Sequence, residues 1–110
     1  MGLIRARGEN TVVHWNVFKS AGDICWAADH IKDGVRVNVV SPGTVLSPSL
    51  EQRIQSEPDP EAAMNNYVSR QPLGRLGTPE EIATAILFAS SEEAGFLDGA
   101  NICIDGAGSL

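Results

Sequence analysis

The residues best suited to chemistry lie between Ser41 and Arg70. The segment Ser41-Pro42-Gly43-Thr44-Val45-Leu46-Ser47-Pro48-Ser49 combines hydroxyls with a proline–glycine turn. Pro42 has no N–H to give a sheet, and Gly43 permits backbone angles that other residues avoid. Such a turn exposes backbone donors and acceptors. Ser47-Pro48 has the form of a helix start, a hydroxyl cap followed by proline at the first helical position. A capping hydroxyl there can also turn toward a ligand. By its residues alone the segment is either a ligand loop or a plain strand-to-helix connector. Downstream, Arg53 and Arg70 carry guanidinium forks, which bind carboxylates bidentately and stay charged at all relevant pH. They can equally be solvated helix charges, with Arg53 pairing Glu57 at i+4 and Arg70 near a helix C-terminus.

Other candidates carry less. His14 and His30 have no carboxylate or cysteine at ligand spacing, and no metal site is expected. Cys25 and Cys103 are far apart, match no metal spacing, and sit in apolar stretches that predict buried free thiols. Glu80 and Glu81 fall in a helix N-terminal turn, where acids favour the helix dipole, so capping accounts for them better than catalysis. Trp15 and Trp26 have no basic patch around them and are expected to pack rather than to stack on bases. No G-x-G-x-x-G or G-x-x-x-G-x-G phosphate loop occurs.

These residues need elements to hold them. Ala21, Ile24, Cys25, Ala28 and Ile31 fall at helical spacing, with Asp33-Gly34 as the stop. Val35 to Val40 is β-branched and apolar enough for a buried strand that stops at Ser41-Pro42-Gly43. Pro48 to Gln55 forms a short helix, Ser56-Glu57-Pro58 breaks it, and Asp59-Pro60 opens another reaching about Arg70. Gln71 to Gly77 is a turn-rich connector. Thr78-Pro79-Glu80-Glu81 spells a capping box, and Ile82, Ala85, Ile86 and Ala89 line one face of the helix it begins. Asn101 to Ile104 reads as a strand ended by Asp105-Gly106. Residues 1–18 give little beyond a weak strand at Thr11–Trp15. In an open α/β sheet ligands sit beyond the carboxyl ends of the strands, which puts Ser41–Ser49 where a ligand would be sought first.

The chain has 110 residues, a size suited to one domain. Its net charge of −6 argues against a non-specific nucleic-acid or anionic-membrane partner. No run of eighteen apolar residues suggests a membrane span, and the first ten residues have no apolar core for a signal peptide. A cytoplasmic location is expected.

Three stretches, AADHIKDGVRVNVVSPGTV, QPLGRLGTPEEIATAILFASSEEAGFLDGA and ICIDGAGSL, together resemble the C-terminal part of the short-chain dehydrogenases/reductases. The segments PGTVLSPSLEQRIQ and NNYVSRQ are similar to a branch whose members act on 3-hydroxybutyrate and on 2-keto-3-deoxy-fuconate. The resemblance implies an α/β fold: part of a Rossmann-like, doubly wound parallel sheet, its C-terminal αβαβ portion. It covers residues 27–110 and leaves 1–26 as a segment outside the family pattern. It also implies that Pro42, Gly43, Thr44, Val45, Leu46, Ser47, Pro48 and Ser49 form the loop over the nicotinamide end of NAD. In that loop the backbone around Val45 bonds the carboxamide, and Ser47 stands where the family usually has threonine. Arg53 and Arg70 match arginines that hold the substrate's carboxylate.

The family's catalytic equipment is not matched. Its Tyr-x-x-x-Lys, counted back without gaps from Ala27-Ala28-Asp29, falls on Val12 and Asn16. Shifted to Lys19, the tyrosine position falls on Trp15, whose indole N–H cannot exchange a proton near neutral pH. The one tyrosine, Tyr67, lies far downstream. No catalytic residue is therefore assigned. The expectation is a C-terminal piece of an NAD-dependent oxidoreductase for a small hydroxy or keto acid, inactive alone and binding NAD weakly, from a parent enzyme that is a homo-oligomer. The alternative is a non-enzymatic protein that docks to related subunits. The missing strands would leave one edge of Val35–Val40 unpaired.

Overall fold

The computed structural model describes residues 2–5, 11–15 and 21–110, with side chains described from Trp26 onward. The apolar run after Gly34 becomes strand β3 (Arg36–Pro42). Before it come β1 (Gly2–Arg5), β2 (Thr11–Trp15) and helix α1 (Ala21–His30). After it come α2 (Pro48–Gln55), α3 (Pro60–Ser69), α4 (Pro79–Ser90) and β4 (Asn101–Ile104). The strands form one sheet in the order β1-β2-β3-β4. β1 runs antiparallel to β2, whereas β2, β3 and β4 are mutually parallel. The fold is α/β, with helices connecting parallel strands as such strands require.

Two expectations are corrected. The edge of β3 is not open: β2 pairs along it from Thr11↔Arg36 to Trp15↔Val40. The weak strand signal at Thr11–Trp15 underlies that pairing, and tertiary context supplies what local pattern did not. β3 also runs past Val40 through Ser41 and Pro42, which pair with Cys103 and Ile104. A proline at the last position of the strand removes little from the ladder.

β3 is covered on both faces. Val37, Asn38, Val39 and Val40 are each at most 2% exposed. Val40 packs with Ile86 and Ala89 of α4, and Ile82, Ala85, Leu97, Ile102 and Ile104 close around them. The capping box is formed as the sequence indicates, with Thr78 Oγ1 accepting from Glu81 N–H and the Glu81 carboxylate accepting from Thr78 N–H. Pro79 occupies the first turn. Val37 and Val39 point to the opposite face, the side left for α1, where Ala27 is buried. Gly34 ends the short 3-10 turn after α1 with φ 73°, a left-handed angle that suits glycine. Trp26 is 48% exposed, so it packs only in part. Cys103 is exposed, against expectation, because it sits on β4, an edge strand of the sheet. Cys25 and His14 lie outside the described side chains. Among the described residues no helix is long and apolar enough to cross a membrane.

Two polar side chains on β3 tie it to the segment leading into β4. Arg36 donates to the carbonyls of Ala89, Ser91 and Leu97, at 2.9–3.0 Å. It thereby satisfies carbonyls at the end of α4, which the helix leaves without partners. Asn38 is fully buried. Its Nδ2 donates to the Leu97 carbonyl at 2.9 Å, and its Oδ1 accepts from Ala100 N–H at 3.1 Å. Asp98 accepts from Val37 N–H at 2.9 Å. Replacing Asn38 by alanine strands the Ala100 N–H in a buried place. Such a loss costs about 1–3 kcal/mol per unsatisfied group, and with the lost packing Asn38→Ala should cost about 2–4 kcal/mol. Urea denaturation reads this as a lowered midpoint with little change in slope.

Candidate functional site

The loop after β3 starts at a forced contact. A Cβ built on Gly43 would lie 2.8 Å from the Asp105 Cα, so only glycine fits without moving β4's end. Gly43 N–H donates to the Ile104 carbonyl at 3.0 Å. The chain then meets the connector before α4. Val45 and Gly77 form a parallel bridge. Gly77 N–H donates to the Thr44 carbonyl and Leu46 N–H donates to the Gly77 carbonyl, each at 2.9 Å. Ser47 N–H donates to the Val45 carbonyl at 2.8 Å. Ser47 Oγ accepts from Leu50 N–H, which makes it the cap of α2, and lies 3.0 Å from Ser49 Oγ. Pro48 takes the first helical position. The loop backbone is thus largely committed to internal pairing, and the Val45 N–H belongs to none of these pairs.

Asp59 caps α3 by accepting from Ala62 N–H at 3.0 Å. α2 and α3 make a short helical hairpin, with Ile54 of α2 1% exposed. A cleft of about 500 Å³ between them is lined by Arg53, Glu57, Asp59, Asn66, Tyr67 and Arg70 among others. A second cleft, of about 780 Å³, opens at the carboxyl ends of β3 and β4 and is lined by Pro42, Gly43, Thr44, Arg70, Gln71 and Asp105 among others. Arg70 lines both clefts. Arg53 lines only the first. The structure therefore brings the two arginines to one cleft and carries Arg70 alone to the loop.

Gln71 is a residue that sequence reasoning passed over. Its Nε2 donates to Thr44 Oγ1 and to the Tyr67 carbonyl, both at 3.3 Å, and so joins the end of α3 to the loop. Nothing in periodicity marks a glutamine in a turn for this. Asp105, expected only as a strand end, accepts from the Ala107 and Ser109 amides at 3.0 and 3.1 Å. A side-chain hydrogen bond from Ser109, with those amides, holds its carboxyl below the usual carboxylate range.

Arg75 and Glu81 form the other feature of this region. Their fork is bidentate, Nη1 to Oε2 at 3.0 Å and Nη2 to Oε1 at 2.6 Å. The Arg75 hydrogen bond, with that from Thr78 N–H, lowers the Glu81 carboxyl to about 2.

As for the catalytic positions considered from sequence, Val12 and Trp15 lie on β2, a strand and not the helix that Tyr-x-x-x-Lys requires. Asn16 and Lys19 lie outside the described residues. Tyr67 lines the cleft between α2 and α3.

Against known families, residues 24–108 match the model described as enoyl-(acyl carrier protein) reductase. The chain belongs to the short-chain dehydrogenase/reductase family. Dehydrogenase/reductase SDR family member 6 of Danio rerio is 46% identical over 80 residues, covering 73% of this chain and 33% of that relative. The 2-keto-3-deoxy-L-fuconate dehydrogenase of Xanthomonas campestris is 44% identical over 81 residues, covering 73% of this chain and 27% of its own. Among solved structures, Cj0485 dehydrogenase superposes with a TM-score of 0.73 and 34% identity, over 77% of this chain and 33% of that one. The chain thus spans about a third of the length of the relatives it matches. Over residues 24–108 the fold is the corresponding part of the family's Rossmann-type sheet.

The depressed Glu81 carboxyl has a consequence with a definite sign. Its folded value lies below the ordinary carboxylate value of 4.5, so its stabilising contribution is complete above that pH and is lost as pH falls toward about 2. The pair is exposed, so the effect is screened and modest. The difference in urea midpoint between the native chain and Glu81→Gln should be constant above pH 5 or so and shrink steadily toward pH 2. Taking the difference separates Glu81 from Asp105, which shifts in the same direction.

Proposed function

We infer that this chain carries the nicotinamide-side loop and the substrate lid of an NAD-dependent oxidoreductase acting on a small hydroxy or keto acid. The observation that carries the reading is the position of Arg70. It lines the cleft at the carboxyl ends of the parallel strands, beside Thr44, and also the cleft that holds Arg53. A ligand over the Pro42–Ser49 loop would therefore meet a guanidinium at its rim. The chemistry suits a carboxylate, which a guanidinium fork binds bidentately. The named substrate of the Xanthomonas relative is a keto acid, which agrees with that choice.

In this reading NAD supplies hydride transfer when bound. Pro42 and Gly43 shape the loop, and the backbone around Val45 bonds the carboxamide. Thr44, Leu46, Ser47, Pro48 and Ser49 hold the loop's course into α2. Gln71 keeps Thr44 in place while Arg70 orients the acid at the loop and Arg53 supports it from the cleft between α2 and α3. α2 and α3 act as the cover that keeps water from the reacting atoms.

The chain offers no Tyr-x-x-x-Lys, so it has no phenol tuned by a lysine to move the alcohol proton. Assayed alone with NAD, NADP and a panel of hydroxy acids, it is expected to give no turnover above a heat-treated control. Without a pyrophosphate loop most phosphate contacts are gone, so NAD should bind more weakly than ~1 mM. Turnover, or micromolar binding by calorimetry, would contradict the reading.

The arginine assignment is tested where turnover is available, in a full-length family enzyme carrying residues 27–110. There Arg53→Ala or Arg70→Ala should cost about 2–5 kcal/mol in kcat/KM for a carboxylate substrate, as when one partner of a buried charge pair is truncated. A neutral ketone should lose far less. Equal losses on both substrates, or none, would remove the carboxylate role.

A further inference from the structure

The backbone of the connector before α4 bonds the backbone of the loop at Gly77, and the groups around that residue close on themselves. Gly77 is flanked by two peptide units, and each is held at both ends. In the Leu76–Gly77 unit the carbonyl accepts from Arg75 Nη1 at 3.0 Å, and the N–H donates to the Thr44 carbonyl at 2.9 Å. In the Gly77–Thr78 unit the carbonyl accepts from Leu46 N–H at 2.9 Å, and the N–H donates to Glu81 Oε2 at 2.9 Å. Arg75 and Glu81 then grip each other through the bidentate fork. One side of both planar units faces the charged pair and the other faces the loop.

We propose that Arg75 and Glu81 are positioning residues for the Thr44–Leu46 backbone, acting through the two peptide planes of Gly77. This rests on the reading of that loop as the cofactor loop. Three physical points carry it. A peptide unit is planar and rigid, so fixing its carbonyl fixes the direction of its N–H. A hydrogen bond with a charged partner is shorter and stronger than a neutral one, and polarises the group it binds. The arginine draws density from the Leu76 carbonyl, and the N–H of that same unit becomes the better donor to Thr44. The glutamate acts in the reverse sense on the next unit, whose carbonyl becomes the better acceptor for Leu46. The pair therefore strengthens both bonds of the bridge.

The same carboxylate also serves the capping box of α4, so the variants must separate the two roles. Glu81→Gln can still cap, since glutamine serves at that position, but it loses the charged fork. Arg75→Gln leaves the cap wholly intact, with Thr78 and Pro79 unchanged, and guards against a Glu81 variant that merely frays the helix.

Amide hydrogen exchange on the full 110-residue chain reads the outcome at single residues. The Leu46 and Gly77 amides report the bridge, and the Val39 and Gly99 amides, bonded to Ala100 and Val37, report the sheet. Exchange at Leu46 and Gly77 should rise about tenfold in both variants, with Val39 and Gly99 unchanged, as expected for local rather than global opening. No change at Leu46 and Gly77 overturns the proposal. So does an equal rise at all four amides, which would make the pair a general stabiliser. A titration with NAD, read at the Thr44 to Leu46 amides, answers separately for the cofactor reading. At NAD concentrations well above ~1 mM, where weak binding is populated, the absence of any shift counts against that reading, while the exchange comparison decides the role of Arg75 and Glu81.

Discussion

A strand enclosed on every side but one dictates this structure. β3 has a parallel partner on each edge and apolar cover on each face, so its only free outlet is its carboxyl end. Whatever follows must emerge there as a loop, and the loop must turn sharply because β4's end is already against it. The Gly43 contact with Asp105 is the trace of that crowding. Enclosure also explains why β3 carries polar groups that are fully used. Asn38 in such a place has to satisfy both ends of its amide, and Leu97 and Ala100 do so. Arg36, two residues nearer the strand's start, gathers the Ala89 and Ser91 carbonyls at the end of α4. The strand thereby fixes the helix that packs on it as well as the loop that leaves it.

Local chemistry was legible wherever a few adjacent residues settle it. Thr78-Pro79-Glu80-Glu81 gave a capping box, Ser47-Pro48 a helix start, and Asp59-Pro60 another; each cap is formed with the side chain expected. Asn101–Ile104 was found to its ends. The failures share a different cause. β1 and the firm pairing of β2 depend on partners elsewhere in the chain, and a five-residue run cannot announce its neighbour. Cys103 was expected inside because its neighbours are apolar, but on an edge strand alternate residues face away from the packed side. Trp26 is only partly covered for a similar reason: residue type set the expectation, and position on the helix set the outcome.

Within the candidate site the same division holds. The loop and the arginines could be named from sequence, the roles coming from family resemblance. Their arrangement could not. That Arg70 borders two clefts and Arg53 one follows from where α2 and α3 lie against the loop, which no motif encodes. Gln71 and Gly77 act through the backbone and a long-range amide contact, and neither stands out by type. Residues that act through peptide groups leave a faint mark in sequence, because many side chains would leave the same backbone donors in place.

The bond between Asn38 and Ala100 joins residues 62 positions apart. α2, α3, α4 and the loop all lie inside that span. A parallel pairing of this kind must close a long stretch of chain before any of its bonds form, and the closure entropy comes first. α2, α3 and α4 can gather locally during the search, but β4 has no place to go until β3 is set beside it. The start of the loop over the cleft therefore completes its contacts only once β4 is in place. A nascent chain that has not yet delivered Asn101–Ile104 has Gly43 without the surface it turns against.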